Sequence, residues 1–454
     1  MRHLTLAAVL FLSACTNSFP TADVTMSGPS DAVSGGMLPA IQTFAPVAAQ
    51  PTARSNTDIA GKFLDLEFRM ESGRTLPRFT RFEGPVTVAL TGDVPASAPA
   101  DLTRLMGRLR AEAGIDIRPA AAGGPASVTV EFHPRRVLRR VVPTAACFVV
   151  PNVSSLEEYK AKRGTPVVDW ANLSRRSRVA VFAPSDTTPQ EIRDCLHEEV
   201  AQALGPLNDL FSLQDSVFND DNFNTVLTGF DMLVLRLHYA PELASGMTKE
   251  DVAARLPALL ARLNPAGGAV GVARESLTPP SWTQAALAAA GRGAAARGAA
   301  ERMLSIAHAQ GWTDSRLAFS HYLIGRANVG HDLGTAIRNF TTAGDMWRAM
   351  PGGAVHAAHV DMQLAAFALS SGDQGAALAY TERALPVVQA AQNAALLATL
   401  LTLRSKALDA VGDARGARQA HLDSLGWARY GFGSEADVRA RLRGIAALAG
   451  GDRG

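Results

Sequence analysis

Apolar residues along this chain follow two patterns, and they change near residue 266. In the first part, short β-branched runs alternate with amphipathic stretches. The segments PVTVAL (85–90), SVTVEF (127–132), ACFVV (146–150) and SRVAVFA (177–183) predict strands. Between the first two, residues 100–115 place Leu102, Leu105, Met106 and Leu109 on one helical face. The stretch PSDTTPQEIRDCLHEEVAQALG predicts a helix with Ser185, Asp186 or Thr187 as N-cap, Pro189 in the first turn and Gly205 at the end. Further helices are predicted over 227–241, stopped by Pro241, and over 246–263, capped by Thr248. Strands mixed with helices in this order predict an α+β domain over 56–265.

Beyond NPAGGAVG, in the linker 266–281, the chain becomes alanine-rich and helical, with few β-branched runs. The segments beginning at Asp332, Asp373 and Asp413 share an Asp-x-x-x-Ala core, with Ala336, Ala377 and Ala417 each four residues further on. The aspartates are 41 and 40 residues apart. A period near 40 with Gly-Asp turns resembles tetratricopeptide-like (TPR-like) repeats over 282–450; a non-repetitive alanine-rich bundle is the other reading, and both are all-α. Such repeats imply a concave surface for an envelope protein or peptide partner.

The N-terminus carries a different signal. Met1, Arg2 and His3 precede a nine-residue apolar run, Leu4–Leu12, followed by Ser13, Ala14 and Cys15. This resembles a lipoprotein signal peptide (1–14) with Cys15 as the lipidated residue. The resemblance implies a bacterial envelope protein anchored through lipid, in the outer membrane facing the periplasm. Residues 16–55, rich in Ser, Thr, Pro, Ala and Gly, give the remainder of a flexible tether (15–55). Composition changes little else. A net charge of +2 with 19% charged residues gives no footprint for nucleic acid. After Cys15 only Cys147 and Cys195 remain, an even number in an oxidising compartment, which suits a disulfide; two buried thiols is the alternative.

The candidate chemistry lies in DCLHEEVAQALGPLND (194–209). Zinc-peptidase helices place two ligands four residues apart with a general-base glutamate after the first. His197 fails as first ligand because Ala201 follows at four residues. Shifted by one, Glu198, Gln202 and Asn208 take the ligand positions, Glu199 that of the catalytic glutamate and Gly205 that of the glycine turn. With DSVFND following, Phe218 standing where a methionine turn would be, the segment resembles a degenerate matrixin-like metzincin. It is also similar to a bacterial family of exported proteins catalogued as a domain of unknown function. The resemblance implies an α+β zincin-like domain whose metal positions are oxygen donors. Zinc is not expected there; Ca²⁺ or Mg²⁺ would suit the set at modest affinity, and no cofactor is required. His197 and Asp209 are expected as supporting residues around it.

Three functions follow as expectations: a lipid-anchored binding or scaffold protein with a non-catalytic peptidase fold, a metal-dependent envelope hydrolase using oxygen ligands, and a structural envelope protein. Cys15→Ser is expected to move the mature protein from the membrane pellet to the soluble periplasmic fraction; unchanged pelleting would refute the anchor.

Overall fold

The structure is a computed structural model that describes residues 38–45, 50–271 and 277–449. The signal segment and Cys15 lie outside the described residues. Among the described residues no helix is long and apolar enough to cross a membrane.

The N-terminal part is a mixed α/β domain. It runs α1 (Asn56–Phe68), β1 (Val86–Gly92), α2 (Ala98–Ala113), β2 (Ile117–Pro119), β3 (Val128–His133), α3 (Arg135–Leu138), β4 (Phe148–Pro151), α4 (Leu156–Lys162), β5 (Val179–Pro184), α5 (Pro189–Leu204), α6 (Gly229–His238) and α7 (Lys249–Leu263). The five-stranded sheet has the order β2-β1-β3-β5-β4. Only β4, at the edge, is antiparallel to its neighbour, with Val149 opposite Val181. Alternation along β5 divides two cores. Val179, Val181 and Ala183 face the main core with α2 and α5, whereas Ala180 and Phe182 join Phe148, Val150 and Tyr159 on the other face. Burial on both faces explains why β4 and β5 read as unbroken apolar runs.

Two caps differ from the sequence reading. Thr188, not Ser185, Asp186 or Thr187, caps α5 and accepts from the Glu191 amide. Pro189 then takes the first helical position, where its missing N–H costs nothing. Asp186 accepts instead from the Arg135 amide, and Thr187 donates to Glu191. Helix α6 begins two residues later than expected because Thr228 and Asp231 form a capping box. Thr248 caps α7 as read from the sequence.

An all-helical region follows: α8 (Pro280–Ala289), α9 (Gly293–Ala309), α10 (Ser315–Asn328), α11 (Leu333–Ala349), α12 (Ala354–Ser370), α13 (Gln374–Ala390), α14 (Ala394–Ala410), α15 (Ala414–Phe432) and α16 (Glu435–Ala449). The repeated motif has a structural cause. Asp332, Asp373 and Asp413 are the N-caps of α11, α13 and α15, accepting from the amides of Thr335, Ala376 and Gly416. Ala336, Ala377 and Ala417, one turn inside each helix, are buried. Gly372 and Gly412, just before two of the caps, have φ of 80° and 88°, which glycine adopts without penalty.

Of the expected tether, several of the described residues 38–45 and 50–55 are docked. The Gln42 amide donates to Gly426 O, Arg429 donates to Pro39 O, and Phe44 stacks on Trp427 at 4.3 Å. Arg54 binds Asp215 and Asp58. One ring and one paired guanidinium hold what composition alone describes as a loose segment. The first part of the expected linker is held as well: Asn56 donates to the carbonyls of Asn264 and Gly268.

A long irregular segment after α5 joins the two regions. Phe223 projects from it into a ring of Phe319, Tyr322, Trp347, His356 and His359, with centroids at 4.5–6.1 Å. Phe211 packs edge-on against Trp282, and Asp221 meets His356 Nε2 at 2.7 Å. Phe223→Ala is expected to lower stability by about 3–5 kcal/mol, as for a fully buried aromatic; denaturant unfolding of the purified protein measures it, and a loss within experimental error would contradict this packing.

Candidate functional site

Helix α5 is held by a covalent bond and by a guanidinium at its C-terminus. Cys195 is disulfide-bonded to Cys147, just ahead of β4, across a sequence separation of 48 residues. A closed loop of that length contributes up to about 4 kcal/mol in the chain-entropy account. At the other end the buried Arg176 guanidinium donates to the carbonyls of Gln202 (2.6 Å), Ala203 (2.8 Å) and Gly205, which have no intrahelical partners. Gly205 itself is required by close approach: a Cβ there would lie 2.8 Å from His238 Nδ1. That nitrogen is 2.8 Å from Glu67 Oε1.

The residues singled out from the sequence go separate ways. His197 Nδ1 accepts from the Leu227 amide at 3.1 Å, so this nitrogen carries no proton and is spent on positioning the entry to α6. Burial, then the nearby guanidinium groups of Arg193, Arg108 and Arg104, hold its pKa well below the usual histidine value. Asn208 donates to the Asp65 carbonyl at 3.0 Å, beneath the end of α1. Gln202 donates to Asp209 Oδ2 at 3.2 Å. Glu198 is half-buried and lines a groove. Glu199 is fully buried, at 0% exposure, with no hydrogen-bond partner on either carboxylate oxygen.

Carboxylates from distant parts of the chain gather near Glu199 and Gln202. Glu71, Asp209 and Asp220 each offer an oxygen within 4.8 Å of the other two. Asp209 was expected in a supporting role; it lies in this group, with Gln202 beside it. Glu71 and Asp220 were not anticipated. The acid-rich FNDD of residues 218–221 was a usable signal for Asp220. Glu71, in the turn after α1, had none.

These acids hold protons tightly. Burial, then Glu71, pushes the Glu199 carboxyl well above the ordinary range. Burial raises Asp209 despite its hydrogen bond with Glu71, and Asp220, Glu198 and Glu199 add to the rise. Asp220 is raised by burial, then by Glu71 and Asp221. Each would otherwise be a carboxylate in low dielectric beside like charges.

On the other side of α5 lies a groove of about 900 Å³ between the two regions. Its α5 wall carries Glu191, Asp194 and Glu198; the facing wall carries Met362, Leu396 and Leu403. Gln190 bridges the walls, donating to Asn393 Oδ1 and accepting from the Ala395 amide. Arg193 donates to Gln392 O at 2.6 Å.

Residues 56–258 match a family described as a protein of unknown function (DUF2927). The match runs from α1 into α7 and so covers the mixed α/β domain, not the helical region. No curated protein and no solved structure matches the chain.

The raised carboxyl pKa values have a definite sign. The folded state keeps protons that the unfolded state releases above the ordinary carboxylate range of 3.8–4.5. In metal-chelated protein these groups therefore make stability fall as pH rises from that range towards neutrality. Glu199→Gln is expected to raise stability at pH 7 in chelator and to flatten this dependence. Denaturant titrations at a series of pH values check it; a destabilised variant with an unchanged pH slope would contradict the assignment.

Proposed function

We propose that this is an exported, lipid-anchored binding or scaffold protein whose groove receives an extended segment of an envelope protein or peptide. The observation that carries this reading is the groove itself, with the half-buried Glu198 on its α5 wall and the apolar Met362, Leu396 and Leu403 on the helical region. Such a surface suits a segment that combines apolar anchors with Lys or Arg side chains. The mixed α/β domain is read as a degenerate metzincin-like fold on the order of its parts: α5, its glycine, the turn holding buried Phe218, then α6. The helical region is read as TPR-like on the three aspartate caps and buried alanines spaced by about one helix pair. Export is supported by the lipobox-like Cys15 segment and by the Cys147–Cys195 bridge, a pairing expected in an oxidising compartment.

A metal-dependent hydrolase with Glu199 as general base is the competing reading. Against it, the α5 ligand positions hold no imidazole, His197 is committed to the Leu227 amide, and Glu199 is closed off from the surface. A general base must reach the proton it removes, directly or through water.

A photo-crosslinking residue in place of the groove-lining Ala440 is expected to capture an intact envelope protein in cells, whereas one at the exposed Leu422 is not. Glu198→Lys is expected to reduce the Ala440 capture severalfold through charge reversal. Equal capture from both positions would refute the groove reading, and recovery of the captured protein as cut fragments would favour the hydrolase.

A further inference from the structure

The geometry points to a buried divalent-cation site with Glu71, Glu199, Asp209 and Asp220 as its oxygen ligands, and to Ca²⁺ as the ion they fit. This goes beyond the partner-binding reading and does not depend on it. Three of the four already present oxygens within 4.8 Å of one another. The fourth supplies an independent reason to place a ligand there. Glu199 is fully buried, and neither of its oxygens has a hydrogen-bond partner. It interacts electrostatically with Glu71 and with Asp209. Asp209 is buried beside it, with Gln202 donating to its Oδ2.

Orphaned buried oxygens are costly, and carboxylates in mutual contact are costlier still. A cation at their centre removes both penalties. The donor class selects the ion. All four side chains are hard oxygen donors, which suit Ca²⁺ or Mg²⁺ above zinc. Carboxylates that can bind through one oxygen or two supply the six to eight contacts that Ca²⁺ takes at about 2.3–2.6 Å. Mg²⁺ requires a tighter octahedron and usually keeps several waters, which a site built around fully buried Glu199 does not favour.

Position gives the ion a structural task. The ligands come from the turn after α1, from α5, and from two points of the irregular segment after it. Asp220 immediately precedes Asp221, the partner of His356, and lies three residues before Phe223. A cation held by Asp209 and Asp220 therefore fixes the segment that joins the two regions.

The test uses the mature protein purified without added metal, analysed for bound metal and then titrated with CaCl₂, MgCl₂, MnCl₂ and ZnCl₂ by calorimetry and thermal melting. Ca²⁺ is expected to bind at one ion per chain and raise the melting temperature, with Mg²⁺ weaker by about tenfold or more. Glu199→Gln and Asp220→Asn are each expected to weaken Ca²⁺ binding by about tenfold or more while still melting cooperatively in chelator. Should a variant not fold, metal content and titration of the unaltered protein decide the question alone. Absence of bound metal together with no melting shift at about 10 mM of any of the four ions would overturn the site. So would an undiminished Ca²⁺ shift in both variants, or uptake of zinc with Ca²⁺ excluded.

Discussion

The structure depends on burying irregular backbone without leaving its polar groups unpaired. Between Gly205 and Thr228 the chain forms neither helix nor strand, yet most of its residues are buried. Peptide groups in such a place need partners that a ladder or a helical turn would ordinarily supply. Here they come from short polar side chains. Asn219 donates to Leu213 O, and Asn224 donates to the carbonyls of Gln214 and Ser216. Asp231 accepts from the amides of Val217 and Thr228 while also taking the Ser216 hydroxyl. Its pKa, pushed up to about 6 by burial, is held from going higher by those three donors. The Asn- and Asp-rich composition of this stretch is thus the condition for its burial.

The same condition shapes what lies beside it. A segment held by side chains can place carboxylates where a regular element would place aliphatic groups, and it does so at Asp209 and Asp220. Helix α5 contributes Glu199 and Gln202 to one side and Glu198 to the groove on the other. The adjacent glutamates, about 100° apart around the helix, consequently serve different environments. One is enclosed among acids; the other meets solvent. Arg176, Cys195 and Thr188 hold the helix rigidly enough for that division to persist.

How much of this could be read from the sequence depended on whether the signal was local. β4 and β5 were legible because burial on both faces demands continuous apolar runs, and β1 and β3 through their alternating valines, while β2, only Ile117–Pro119, was too short to register. The aspartate caps of the helical region were legible because each acts on an amide three residues away. The even cysteine count suited a bridge and left two buried thiols as the alternative, which the Cys147–Cys195 disulfide removes. By contrast, the N-cap of α5 was misplaced among four neighbouring hydroxyl and carboxyl groups, and only the position of Pro189 distinguishes them. Apolar periodicity begins at DIAGKFLDLEF (58–68), inside α1, whose Ile59, Phe63 and Leu66 are fully buried. At the site, α5 gave Glu199 and Gln202, but Glu71 comes from more than 120 residues upstream and leaves no pattern. Asn208, a ligand position in the motif, donates its amide to Asp65 O, a contact that three-residue spacing after a helix end does not reveal.

The aromatic side chain at 223 has a practical corollary for dissecting the molecule. It completes the interior formed by Trp282, Phe319, Tyr322 and Trp347, although it originates outside the helical region. A fragment beginning at residue 277 would carry an open, ring-lined hole where that plug belongs, and an exposed cavity of this kind invites self-association. Boundaries chosen from composition at the alanine-rich transition would therefore yield a sticky half-protein, while the intact polypeptide conceals the same surface.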